Sequence, residues 1–124
     1  MANEVKISIT LSADPGNGSK VSRSETMFID MAGDSFTHGV QEAPNGSSEA
    51  LVESDILTHP GWVYLKNLDT TNYATFGNQT TLAQHPIKLL PGESTIIRWP
   101  GAGTVVYGAG NAGTVNIEYI IVEE

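Results

Sequence analysis

Val5, Ile7, Ile9 and Leu11 alternate with Lys6, Ser8 and Thr10, a period of two that sets the aliphatics on one face of a strand and the polar side chains on the other. Asp14-Pro15-Gly16-Asn17-Gly18-Ser19 ends that strand in residues that suit a turn and fit poorly in a ladder. Met27, Ile29 and Met31 share one parity, with Phe28 on the other; Gly33-Asp34 interrupts before Phe36, His38 and Val40 resume the alternation. Residues 22–42 therefore predict two adjacent strands joined by a short turn. Ala43-Pro44-Asn45-Gly46-Ser47-Ser48 reads as a polar, flexible surface loop and a candidate for contact with another molecule. From Glu49 to Leu57 two readings stay open: a helical turn carrying Leu51, Ile56 and Leu57, or a short strand over Ala50, Leu51 and Val52.

Trp62-Val63-Tyr64-Leu65-Lys66-Asn67-Leu68 is apolar on both parities, which predicts a central strand with both faces partly covered. Asp69-Thr70-Thr71-Asn72 then turns into Tyr73–Gly77, as in a hairpin. Pro86–Leu90 leads into Pro91-Gly92-Glu93, a turn in which proline presets φ and glycine takes the position that tolerates positive φ. Ser94–Trp99 and Val105–Tyr107 follow as strands, and Thr114–Val122 closes the pattern. This last run is apolar on both faces near its end, as suits a central position or a subunit contact.

No stretch carries a useful helical period, and the 13 Gly and 6 Pro fall mainly between the apolar runs. The pattern predicts an all-β chain: an antiparallel two-sheet β-sandwich, jelly-roll-like, of about eight strands. Its 124 residues suit a single sandwich domain over 1–124 with a short N-terminal arm.

Charge narrows the partners. Asp plus Glu number 14 against 6 Lys plus Arg, a net charge of −8, and the basic residues form no tract. Phosphate backbones and anionic membranes repel such a surface, so neither nucleic acid nor membrane is an expected partner. The chain has no cysteine, which removes disulfides, thiolate catalysis and cysteine-bound zinc together. Neither a signal-like segment nor a run long enough to cross a bilayer is read in it. Asn17-Gly18-Ser19, Asn45-Gly46-Ser47 and Asn78-Gln79-Thr80 fit the glycosylation pattern but read as turn chemistry, the Asn-Gly pairs suiting positive φ.

The candidate chemistry is sparse. His59 and His85 match no compact ligand spacing, and a metal site using both with Asp55 or Asp69 would have to be assembled by folding alone. Asp14, Asp30, Asp34, Asp55 and Asp69 suit solvated turns and do not follow the calcium-loop pattern. Gly101-Ala102-Gly103 and Gly108-Ala109-Gly110 lack the Lys and Ser/Thr of a phosphate loop and read as tight turns. Trp62, Tyr64 and Trp99 sit at parities that fill a core or a subunit interface, with a sugar-stacking platform as the alternative. No catalytic residue, metal ligand or cofactor is assigned, and the chain is not expected to be an enzyme.

Four segments, Trp62–Asp69, Asn72-Tyr73 to Gly77, Ile87–Glu93 and Ile117–Glu123, carry a family likeness. With a strand ending in Lys66-Asn67-Leu68-Asp69, a Leu90-Pro91-Gly92-Glu93 hairpin and an aliphatic terminal strand, the stretch from about residue 62 to 123 resembles small β-sandwich virion proteins of tailed bacteriophages. These are capsid decoration or cement proteins and small tail or fibre components. The resemblance implies assembly in place of catalysis, most simply as a decoration protein on the outer surface of a shell. A tail, baseplate or fibre component is the first alternative and a carbohydrate-binding module the second. It further implies a homo-oligomer, with a trimer favoured, partnered by the major capsid protein or another virion protein, made in the host cytoplasm and located in the virion. The candidate contact residues are Ala2, Asn3 and Glu4 of the N-terminal arm and Pro44, Asn45 and Gly46 of the loop.

Overall fold

The computed structural model describes residues 5–31, 35–52, 60–100 and 105–123. The chain divides into two compact units, Met1–Ala32 and Gly33–Glu124.

The first unit is a long hairpin. β1 (Val5–Ala13) and β2 (Val21–Ile29) pair antiparallel from Val5 opposite Ile29 to Ala13 opposite Val21. Side-chain oxygens organise the connection: Asp14 Oδ1 accepts the Gly16 N–H at 3.1 Å, and Asn17 Oδ1 accepts the Ser19 N–H at 3.0 Å. Gly18 follows Asn17 at a φ of 91°, a left-handed conformation that favours glycine, as the Asn-Gly pair predicts. One hairpin face carries all five odd-numbered β1 residues, four of them aliphatic and the last Ala13. The other is a hydroxyl ladder, with Ser8 against Thr26 at 3.3 Å and Thr10 against Ser24 at 3.0 Å.

Eight strands follow in the second unit: β3 (Phe36–Ala43), β4 (Glu49–Ala50), β5 (Pro60–Asn67), β6 (Ala74–Gly77), β7 (Ile87–Leu89), β8 (Ser94–Arg98), β9 (Tyr107–Gly110) and β10 (Val115–Glu123). They form two four-stranded antiparallel sheets ordered β3-β10-β5-β8 and β4-β9-β6-β7. The pairing is nested: β6 with β7, then β5 with β8, β4 with β9 and β3 with β10. Alternate residues of β5 and β10 point inward, and Val63, Leu65, Ile117 and Ile121 from one sheet share a single core with Phe76 and Leu89 from the other.

The all-β, antiparallel class predicted by the alternation is what the chain adopts. The strand count differs: among the described residues there are ten strands in three sheets, not about eight in two. The added sheet arises because β2 pairs with β1 while β3 pairs with β10, so residues 22–42 are two strands of different sheets. Nor are Trp62–Gly77 and Ile87–Trp99 hairpins. β5 and β8 lie in one sheet and β6 and β7 in the other, so the chain crosses between sheets at 68–73 and again at 90–93. The short strand expected over Val105–Tyr107 lies instead at Tyr107–Gly110, so Gly108-Ala109-Gly110 is strand and not turn. Glycine suits it because a Cβ at Gly108 would crowd the Phe76 ring, 3.2 Å from the nearest ring carbon. β5 and β10 are central, as their two-sided apolar character predicts. Of the ambiguous segment, Glu49–Ala50 is strand, and residues 53–57 lie outside the described residues.

Candidate assembly surfaces

Of the residues expected to make contacts, Ala2, Asn3 and Glu4 lie outside the described residues. Asn45 and Gly46 are exposed and Pro44 is half-buried. Their loop is tied down, contrary to the flexibility its composition suggests. The Gly110 N–H donates to the Pro44 carbonyl at 2.7 Å and the Gly46 N–H to the Gly110 carbonyl at 3.3 Å, a parallel bridge onto β9. Ser48 Oγ donates to the Thr80 carbonyl at 2.7 Å. Asn45 and Gly46 border an open depression of about 380 Å³ together with Tyr73, Thr75, Asn111 and Ala112. Ala112 closes its rim at a φ of 59°, a left-handed conformation costing an alanine roughly 1–2 kcal/mol. The loop thus presents a fixed polar ridge to solvent.

The segments Trp62–Asp69, Asn72–Gly77 and Ile87–Glu93 meet at one buried residue. Asn67 is fully buried at the end of β5. Its Nδ2 donates to the carbonyls of Asn72 at 2.9 Å and Leu89 at 3.0 Å, and its Oδ1 accepts the Asp69 N–H at 2.8 Å. Its backbone N–H donates to the Glu93 carbonyl, and its carbonyl accepts from Gly92, both at 3.0 Å. Every polar group of this residue is spoken for, which is what a buried amide requires. Lys66-Asn67-Leu68-Asp69 and Leu90-Pro91-Gly92-Glu93 are therefore one structural joint, closed by Gly92 at a φ of 82°.

Asp69 continues the joint, its Oδ2 accepting the N–H groups of Asn72 at 2.6 Å and Thr71 at 3.1 Å. These donors, Asn72 foremost, hold the Asp69 carboxyl below its ordinary pKa against an opposing pull from desolvation. A pKa depressed on folding gives stability that is present above the unfolded value and is lost as pH falls through the folded one. Urea midpoints are accordingly expected to fall on acidification less steeply in Asp69→Asn than in the wild type, since the amide keeps an acceptor and does not titrate. Superimposable pH profiles would show that Asp69 contributes nothing.

Of the three histidines, His85 and His38 have bonded partners among the described residues. His85 Nε2 donates to the Gln79 carbonyl at 2.8 Å, because a carbonyl only accepts, and Nδ1 meets Thr75 Oγ1 at 3.1 Å, which leaves neither ring nitrogen free to ligate. His38 Nε2 pairs with Glu118 Oε2 at 3.0 Å between β3 and β10. His59 and Asp55 lie outside the described residues. Among the described residues no three His, Asp or Glu side chains converge as metal ligands, and no helix is long and apolar enough to cross a membrane. Trp99 is buried in the core and Trp62 is half-buried with the Arg98 guanidinium 5.9 Å from its ring centroid, so neither offers an open stacking face. Lys88 covers the Tyr73 ring at 4.3 Å.

The hairpin leaves several large apolar side chains uncovered. Ile9, Leu11 and Val21 on one face are 47%, 67% and 56% exposed, and Phe28 on the other is 59% exposed. Singly exposed aliphatics are ordinary, but a row of them on one strand face marks a contact surface. The alternation of Val5 to Leu11 is visible in the sequence as half-buried; that Ile7 is buried while Ile9 and Leu11 lie open is not.

No protein-family model matches the chain, and no curated protein or solved structure matches it.

Proposed function

We propose that the chain is a non-enzymatic structural component of a virus particle, a capsid decoration or cement protein that binds the outer surface of a tailed-phage shell. On this reading the unit Gly33–Glu124 is a jelly roll. The support is the nested pairing of β3 to β10 wound over two four-stranded sheets, the pattern of a long hairpin folded across a sandwich. The protein is made in the host cytoplasm and works in the virion as a homo-oligomer, a trimer, against the major capsid protein.

The observation that carries the reading is the hairpin, nine residues per strand, whose apolar face buries Ile7 but leaves Ile9, Leu11 and Val21 exposed toward the turn. Two strands alone are marginal in water, so such an arm is suited to completion by another protein. The fixed ridge at Asn45 and Gly46 offers a second, polar contact. A sandwich fold by itself serves many functions, so the test must be of binding. Cosedimentation of the full chain with shells assembled without it is expected to retain the protein in the shell fraction. A chain that stays in the supernatant with shells and binds only isolated tails would move it to the tail; one that binds neither contradicts the proposal.

A further inference from the structure

The hairpin also carries a register code. Among the described residues β2 has β1 as its only ladder partner, which leaves its outer edge open for strand addition. Charge distinguishes this edge from the rest of the molecule. Residues 5–31 hold three basic side chains (Lys6, Lys20, Arg23) and three acidic ones (Asp14, Glu25, Asp30), so the net charge of −8 arises elsewhere in the chain. Two copies repel one another over most of their surface but not here.

On the partly aliphatic face of β2 the outward residues run Val21, Arg23, Glu25, Met27 and Ile29. When a strand pairs antiparallel with its own copy, residues opposite one another lie on the same sheet face, so the twofold axis must pass through a residue position. An axis at Arg23 sets Arg23 against itself, and an axis at Glu25 sets Glu25 against itself. An axis at Ser22 puts Val21 opposite Arg23, and one at Thr26 puts Met27 opposite Glu25. An axis at Ser24 alone among these satisfies both charges: Arg23 meets Glu25 of the second copy twice, Val21 meets Met27 twice, and Ser22 meets Thr26 on the hydroxyl face. Opposite charges directly across a ladder stabilise it and like charges oppose it. β1 carries no charge on this face and so specifies no register by the same means. In the single chain Arg23 and Glu25 are exposed and 3.8 Å apart along their own strand, a pairing that contributes little in water.

We propose that β2 pairs antiparallel with β2 of a second copy about a twofold axis at Ser24, joining two hairpins into one four-stranded sheet. The link does not rest on the shell-binding reading and is compatible with a trimer built on the other unit.

The absence of native cysteine makes the test direct. Ser24→Cys in the full chain places two thiols opposite one another across the axis, where antiparallel Cα separations of about 4.5–5.5 Å fall inside the disulfide range. Mild oxidation followed by non-reducing electrophoresis is expected to give a covalent dimer. Ser22→Cys, equally exposed, sets its thiols four residues out of register and is expected to yield at least about tenfold less. On the Ser24→Cys background, Glu25→Arg creates two like-charged pairs and is expected to cut the dimer about tenfold. Adding Arg23→Glu reverses both partners and should restore the yield, which separates lost pairing from lost folding. Equal yields at positions 22 and 24, no effect of Glu25→Arg, or no restoration by the double reversal would each overturn the proposal.

Discussion

Replacing Asn67 by alanine is expected to lower the unfolding free energy by about 3 kcal/mol, because it strips partners from groups that the joint holds out of water. The Leu89 carbonyl loses its donor inside the protein, and at the turn the Asn72 carbonyl loses its donor and the Asp69 N–H its acceptor. The two turn groups can recover water more cheaply than the buried carbonyl, which keeps the cost below a sum of three full penalties. Asn67→Asp should be no better, since a carboxylate in place of the amide faces two carbonyl oxygens. Asn116→Ala, an exposed change on the neighbouring β10, serves as the control and is expected to stay within about 0.5 kcal/mol. Urea denaturation with an unchanged m-value reads all three. A loss below about 1 kcal/mol for Asn67→Ala would mean that the joint is held chiefly by its backbone bonds.

Phe76→Ala is expected to cost more still, roughly 3–5 kcal/mol. Phe76 is the largest of the fully buried side chains. Its ring packs 3.2 Å from where a Cβ at Gly108 would sit, and Ile117 of the facing sheet lies 3.4 Å from the same point. A vacancy there is bounded by two strands already paired on both sides, β9 and β6 in one sheet, with β10 central in the other. The walls are therefore poorly placed to close over the cavity, and the cost belongs near the upper part of the usual range. Thermal or urea unfolding of the variant measures it; a loss of about 1 kcal/mol or less would show that the two sheets do not share this core.

The strands of this protein were legible where alternation is strong, because a period of two is imposed locally by which face is wet. Val5–Leu11 lies in a strand, as do Trp62–Leu68 up to Asn67 and Thr114–Val122 from Val115, and Asn17-Gly18 and Pro91-Gly92 mark turns at positive φ. Pairing was not legible, since the same turn residues serve a hairpin and a crossing between sheets. Asn67 reads as one polar residue of a central apolar strand, and the bonds that satisfy its buried amide exist only after β5, the 68–72 turn and β7 have come together. Tyr107–Gly110 failed for a related reason: glycine signals a break until an aromatic from another strand occupies the space it leaves. At the candidate surfaces, Asn45-Gly46 announced its exposure, but the bonds that tie it to β9 come from a strand far along the chain. The spacing of Arg23 and Glu25 on one parity was present in the sequence, yet it acquires meaning only with β2 at an open edge.

The most direct test of the central claim is electron cryomicroscopy of shells assembled without this chain and then incubated with it. Added density on the outer surface, fitted by the two four-stranded sheets of residues 35–123, is the expected result. Shells that remain bare under conditions where the chain is folded would contradict the account.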